Sequence, residues 1–414
     1  MIDITNGSCS FGTAGDGGKT FDVLFCGDVC PNGRAEPKIL AGESAAMLAD
    51  AAAELSANDL SLVNVEVALT RAETPIAKSG PNLKADPRCV AFFEAGGWDV
   101  ACCANNHIGD YGPTEVGTTL DLLRARGLHT VGAGADLAAA RQPLFIERGG
   151  LTVAILAFAE NEFGGAQRGV AGANPLQPLR NIGEIHAAAA RADLVLVLVH
   201  GGNEYLPVPS PRMVETYRAF ADAGATAVVA NHTHCPQGIE LWHGVPIVYS
   251  LGNFLFDTRR AYGGYLWWYG SMIRIGFAGG RAARLTVIPH HCAPCGEAVT
   301  LLRGAERRRF LAYLQRLCTI VPDEKEVARI FDAWCARWIR SGGLAGLAQP
   351  FYPLDWSDPA AVENLMRMRN LHTCEAHAEL LTRALRIAEE RREEEAAAYL
   401  PKLEALLNPE EPCP

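Results

Sequence analysis

Seven strand-length apolar runs are spaced along the chain between residues 21 and 252, and most stop at a polar residue with metal-binding chemistry. FDVLFCG (21–27) is followed by Asp28, and LSLVNVE (60–66) ends on Glu66. WDVACCA (98–104) runs into Asn105, Asn106 and His107, DLVLVLVH (193–200) ends on His200, and ATAVVAN (225–231) precedes His232 and His234. LTVAILAFA (151–159) and GVPIVYSLG (244–252) complete the series. Runs that are apolar throughout need cover on both faces, so the pattern predicts an α/β domain with a buried sheet and helices on both faces.

Helical spacing fills the gaps. An Ala/Leu-rich segment over 42–55 and TEVGTTLDLLRARG (114–127) predict helices, the second with Thr114 as N-cap and Gly127 as its stop. MIRIGFA (272–278) and ARLTVIPH (283–290), joined across Gly279-Gly280, predict a β-hairpin. Beyond about residue 296 Arg, Glu, Leu and Ala dominate, and LRIAEERREEEAAAYL (385–400) reads as a solvated helix with i,i+4 charge pairs. The expected organisation is a flexible Gly-rich N-terminus (1–20), an α/β domain (21–295) and a helical C-terminal region (296–414).

Composition narrows the function. A net charge of −10 over 414 residues, with no basic stripe, excludes a nucleic-acid partner, because neutralising phosphates needs clustered Lys and Arg. The first twenty residues lack the basic start and apolar core of a signal peptide, and the most apolar stretch, Leu194 to Val199, is too short to span a bilayer. Thirteen scattered cysteines without a regular framework fit a reducing compartment. The expectation is a cytoplasmic protein with no membrane span.

Strand carboxyl ends form the ligand crevice of open α/β sheets, so ligands gathered there from distant positions suit a metal site on a rigid scaffold. Taken singly, Asp28 reads equally as a turn residue, and Asn105-Asn106 as a loop with one left-handed residue. His232-Thr233-His234 would place both imidazoles on one side of an extended segment. Together, the potential ligands at strand ends (Asp28, Glu66, the Asn105-Asn106-His107 run, His200, His232 and His234) point to a metal centre.

The blocks GDVCPNGR (27–34), NVEVALT (64–70), ANNHIGDYG (104–112), HGGNEY (200–205), NHTHCPQGIE (231–240) and YSLGNFLFD (249–257) resemble the signature blocks of the CapA/PgsA family, over roughly residues 20 to 290. That family is named for poly-γ-glutamate capsule synthesis and belongs to the calcineurin-like metallophosphoesterase superfamily. The resemblance implies a four-layer α/β/β/α sandwich around two divalent metal ions (zinc, manganese, iron or magnesium), making 21–295 a CapA-like metallohydrolase domain. It implies Asp28, Glu66, Asn106, His200, His232 and His234 as ligands, with Glu66 bridging, His107 as the catalytic group and Asp110 orienting it. Asn105, Glu204, Arg34 and Asn253 are the substrate-binding candidates. Lys84, Arg259 and Arg260 are further cations near the expected site loops.

Three departures from the family pattern stand out. Cys30 occupies the place of the superfamily's first-block histidine, which leaves a single metal or a Cys30 thiolate ligand as alternatives. The family's His-Trp-Gly is here His200-Gly201-Gly202, which predicts opened space or a wetter pocket. A double histidine before proline is reduced, with Asn231 and Thr233 flanking His232. Elsewhere, His290-His291-Cys292 with Cys295 is a weaker zinc candidate, and the aromatic cluster Tyr262, Tyr265, Trp267, Trp268, Tyr269 reads as packing with part of it at a cleft rim.

The resemblance implies hydrolysis by metal-activated water of a γ-glutamyl amide or related anionic substrate, either a small molecule or a glutamate-containing polymer. Two alternatives stay open: a metallophosphoesterase, and a non-catalytic polymer-binding or scaffold protein of capsule synthesis. For the C-terminal helices, covering the cleft and forming a homo-oligomer are both open.

Overall fold

The apolar runs build two sheets instead of one. The computed structural model describes residues 2–11, 20–258, 264–292, 297–345 and 357–409. The larger, nine-stranded sheet runs Ser8–Ser10, Arg281–His291, Tyr269–Ala278, Phe21–Cys30, Leu60–Val65, Val100–Cys102, His129–Val131. Asn253–Phe256 and Thr300–Leu301 pair onto it as well. The six-stranded sheet runs Ile239–Trp242, Val245–Val248, Ala227–Asn231, Leu194–His200, Leu151–Ala159, Leu144–Arg148. The sheets pack face to face, with Ala227–Asn231 touching Phe21–Cys30. Pro113–Ala125 and Val90–Gly96 lie on the outer side of the first, Pro178–Ala189 and Pro211–Asp222 on that of the second.

The result is the expected four-layer α/β/β/α sandwich. Every residue of Leu194–His200 is buried. A strand apolar on both faces is covered as well by a second sheet as by a helix, so its sequence does not choose between one sheet and two.

Register brings the strand ends together. Asp28 lies opposite Asn64 and Asn64 opposite Cys102, while Ala159, His200 and Asn231 align across the second sheet. The carboxyl ends of both parallel sets therefore open on the same edge of the sandwich.

The expected hairpin forms from Tyr269–Ala278 and Arg281–His291, with Gly279 and Gly280 both left-handed (φ 57° and 74°), the turn that matches strand twist. The helix expected from Thr114 starts one residue earlier. Pro113 fills its first turn after Gly112, no side chain caps it, and Gly127 (φ 85°) ends it. The solvated helix expected over 385–400 is broken: Glu375–Glu389 stops before Arg391 (φ 54°), and Glu393–Ala397 follows with Ala396 and Ala397 buried.

Residues 2–11 differ from the expected flexible tail. Ser8–Ser10 pairs with Arg284–Thr286, Ile2 and Ile4 are buried, and the Ile4 N–H donates to Gln315 Oε1 at 2.7 Å. Two isoleucines among polar residues suffice to anchor the segment.

Among the described residues no helix is long and apolar enough to cross a membrane. The described cysteines are free thiols, all buried except Cys9. The helices Gly304–Ile320, Glu324–Arg340 and Glu375–Glu389 feed Leu314, Leu317, Phe331 and Leu380 into the same hydrophobic core as the strands.

Candidate metal centre

At the shared edge, Glu66 is fully buried and neither of its carboxylate oxygens has a hydrogen-bond partner. A buried unpaired carboxylate is among the least favourable groups a fold can hold, so its surroundings matter. Three imidazole nitrogens face Glu66 Oε1 beyond hydrogen-bonding distance: His200 Nε2 at 3.5 Å, His234 Nε2 at 3.8 Å and His107 Nε2 at 3.9 Å.

Two ligand sets share this carboxylate. Glu66, His200 and His232 bring donor atoms within 4.8 Å of one another, and so do Asp28, Glu66 and His234. In the first set His200 Nε2 lies 3.1 Å from His232 Nδ1 and 3.0 Å from Asn106 Oδ1. Several electron-rich atoms converging on one point suit a cation.

In the second set the Asp28 carboxylate accepts from Asn64 Nδ2 (2.7 Å) and the His232 N–H (3.1 Å), and lies 3.8 Å from His234 Nδ1. His234 Nδ1 donates to Asn253 Oδ1 at 2.9 Å, leaving Nε2 toward Glu66. The donor chemistry, imidazole with carboxylate and amide oxygen, fits divalent zinc, manganese or iron.

Electrostatics agree. Burial, with Asp28 and Glu204 nearby, pushes the Glu66 carboxyl well above the usual carboxylate range, and burial also raises Asp28. Burial and the neighbouring His232 and His234 push His200 well below the ordinary histidine value. A bound cation reverses both penalties, because it favours ionised carboxylates and neutral imidazoles.

His107 stands beside these ligands with a support of its own. Its Nδ1 donates to Asp110 Oδ2 at 2.7 Å, and Asp110 also accepts from the Leu83 N–H (2.6 Å) and pairs with Lys78 Nζ. Burial first, then Lys78, lowers the His107 pKa, against the pull of Asp110. The imidazole is therefore held neutral with Nε2 toward Glu66.

The backbone is strained where the histidines sit: His232, His234 and Tyr205 have φ of 101°, 55° and 68°. The two imidazoles consequently do not lie on one side of an extended segment. They diverge into the two ligand sets, and strain of this kind persists only where its surroundings enforce it.

Other candidates separate. Glu204 lines a cavity of about 330 Å3 together with His107, Asn106 and Lys78. Asn105 and Asn253 lie beneath the site with their amides committed to the fold. Asn105 donates to Val65 O and accepts from the His107 and Ile108 N–H groups. Asn253 binds His234 and Trp267 O. Arg34 is engaged by Asp257 through its guanidinium and backbone, away from the cavity lining.

Cys30 is buried and belongs to neither ligand set, and burial beside Glu66 and Asp110 pushes its thiol well above the usual range. Lys84 binds Ala72 O and Glu73. Arg259, Arg260, Tyr262 and Cys295 lie outside the described residues. His290 Nε2 donates to Asn253 O at 3.1 Å and is buried. Trp267 packs against His234 with centroids 4.5 Å apart; it is buried behind the ligand and not at a rim.

The space at Gly201 is not open. A Cβ there would fall 2.5 Å from Glu160 Cγ, so Glu160 fills the place. Glu160 in turn accepts from the Ala376 N–H (3.1 Å) and pairs with Arg212. Arg212 also binds Glu379, and Glu375 accepts from the Asn161 N–H at 2.7 Å. These contacts hold the C-terminal helices over the site, so that Trp334, Asn370, His377 and Leu380 complete the cavity wall. A further grouping, Glu162, Cys374 and His377, brings donor atoms within 4.8 Å, with the Cys374 thiol directed to Glu160 at 3.6 Å.

Sequence reasoning missed Asn64, Lys78, Glu162, Asn370 and His377. Asn64 had a weak signal, being polar inside an apolar strand. The rest lie in loops and helices whose approach to the centre only tertiary packing decides.

The family model described as bacterial capsule synthesis protein PGA_cap matches residues 22–258. The PGA biosynthesis protein CapA of Bacillus subtilis (strain 168) is 35% identical over 179 residues, covering 42% of this chain and 47% of that one. A probable polyglutamine synthesis accessory protein of Mycobacterium tuberculosis is 30% identical over 240 residues, covering 54% and 61%. The chain spans about half the length of the curated relatives it matches. A 5'-nucleotidase from Candida albicans SC5314 overlays 77% of this chain and 57% of its own at 10% identity and a TM-score of 0.39, values that carry no functional weight. With the matched region holding all the ligand candidates, the chain belongs to the bacterial capsule synthesis protein PGA_cap family.

Proposed function

We propose that this family member is a metal-dependent hydrolase that cleaves a γ-glutamyl amide or a related anionic substrate. The observation that carries the reading is Glu66, a buried carboxylate without partners at the junction of two histidine-containing ligand sets. Asp28, Glu66 and His234 would hold one divalent ion, and Glu66, Asn106, His200 and His232 the other.

Ions held there supply Lewis-acid polarisation and a water of lowered pKa. Asn64 and Asn253 orient Asp28 and His234 toward them. His107, fixed through Nδ1 by Asp110, takes up a proton at Nε2 and returns it to the leaving amine. Lys78 neutralises Asp110, which keeps His107 from holding that proton permanently. The names of the relatives, in PGA and polyglutamine synthesis, support an amide-linked substrate over a phosphoester. The buried free thiols support a reducing, cytoplasmic location.

The test is metal analysis of the purified chain with turnover of γ-glutamyl oligomers and of aryl phosphoesters side by side. Two ions per chain and glutamate release are expected, with His107→Ala keeping the metal and losing about 100-fold in kcat. Phosphate release without glutamate release would reassign the bond. Tightly bound metal with turnover of neither substrate would sink the hydrolase reading.

A further inference from the structure

The cavity of about 330 Å3 beside His107 lies between the candidate metal edge and the C-terminal helices. Its charged lining residues, among those described, are Lys78, Glu162 and Glu204. Lys78 is already committed: its side chain is 3% exposed, pairs with Asp110 and reaches Asn106 O at 3.4 Å. Glu162 Oε2 accepts from Asn106 Nδ2 at 2.7 Å, while Oε1 stands 4.0 Å from His377 Nε2. Glu204 is half-buried and makes no hydrogen bond or ion pair with the described residues. Tyr205 and Trp334 add aromatic surface to the same wall.

A half-buried carboxylate without an ion pair among the described residues, in a cavity also lined by aromatic rings and a second carboxylate, is chemistry that binds a primary ammonium group. We infer that the cavity holds the free α-amino end of a γ-glutamyl chain, with Glu204 as counter-ion to the ammonium. The α-amine carries its charge at neutral pH, since its ordinary pKa is about 7.7–8.0.

In a γ-glutamyl chain this amine lies four bonds from the γ-carbonyl carbon, so one residue joins the ammonium pocket to the metal edge. Trp334 and Leu380 of the C-terminal helices form part of the wall of the same cavity. Cleavage then breaks the bond from the first residue's γ-carbonyl carbon to the next residue's nitrogen. The hydroxyl of water goes to the carbon and its proton to the nitrogen, and one glutamate leaves per turn. The identity of the chain and of the broken bond rests on the proposed hydrolase reading; the ammonium preference rests on the cavity.

The experiment is calorimetric titration of the metal-loaded full chain with a γ-glutamyl trimer bearing a free amine and with the same trimer N-acetylated. The free amine should bind at least about tenfold more tightly. Glu204→Gln should bring the free trimer down to the affinity of the acetylated one, whose own affinity stays unchanged and shows that the variant is folded. Equal affinities, an equal loss for both trimers in the variant, or binding of neither would overturn the inference. Glutamate released equally fast from both trimers would overturn it while leaving the hydrolase reading intact. Amine-selective binding without glutamate release would do the reverse.

Discussion

Glu66 shows how one residue can oppose stability and still be kept by its surroundings. With both oxygens buried and unpartnered, it destabilises the metal-free protein. Glu66→Met, which removes the unpartnered polar atoms, should therefore raise the stability of the metal-free form by about 1–3 kcal/mol, the penalty of an unsatisfied buried polar group, in denaturant melts. The same variant should bind less metal and lose most of its turnover, an opposite sign that a purely structural glutamate would not give.

His290 offers a second test at this scale, away from the ligands. Burial pushes its pKa down to about 4, so the folded protein keeps it neutral where the unfolded chain, at about 6.5, takes up a proton. Its contribution to stability is complete above about pH 6.5 and is lost as pH falls from there toward 4, at about 1.4 kcal/mol per pH unit. Unfolding curves across that window should be shallower in pH by this slope for His290→Gln, which can still donate to Asn253 O. Sequence showed neither effect: a polar letter in a strand does not reveal whether its partners arrive.

At the scale of elements, the docking of the C-terminal helices turns on a small residue. Gly201 leaves room for Glu160, and Glu160 binds the start of the helix Glu375–Glu389. The missing indole beside His200 was legible as a departure from the family pattern, but what would fill its place was not. Glu160 sits far along the chain from both Gly201 and Ala376, and only packing joins them.

Arg212 bridges Glu160 and Glu379 at this junction. Arg212→Ala leaves the buried Glu160 short of a counter-ion, and should lower stability by about 3 kcal/mol in urea melts. Proteolysis of residues 357–409 should accelerate in that variant while the metal content is retained, because the ligands lie on strand ends and not on these helices.

Across the whole molecule, the candidate metal centre draws its residues from both sheets. Asp28 and Glu66 come from the nine-stranded sheet, His200 and His232 from the end of the six-stranded one. Ions bound across this seam stabilise the folded state by mass action. Raising free metal to about a thousandfold above its Kd should add about 4 kcal/mol and move Tm up by roughly 5 °C, read by calorimetry with and without chelator. Glu66→Gln should abolish most of that shift.

The strands, the polar residues at their ends, the glycine hairpin and the helical character of the last third were all legible in the amino-acid order. Each rests on local chemistry: burial demands apolar runs, strand ends tolerate polar side chains, and paired glycines permit a left-handed turn. The division of the strands into two sheets was not legible from those runs, because a fully apolar strand accepts a helix or another sheet equally well. Nor were the partners of Glu66, the burial of Lys78 against Asp110, or the wall that Trp334 and His377 raise beside His107. Those depend on which distant surfaces meet, and long-range contact carries no signature in the residues that make it. The sequence by itself thus determined that side chains of metal-binding chemistry would gather at strand ends, and the tertiary structure decided which of them meet and what surrounds them.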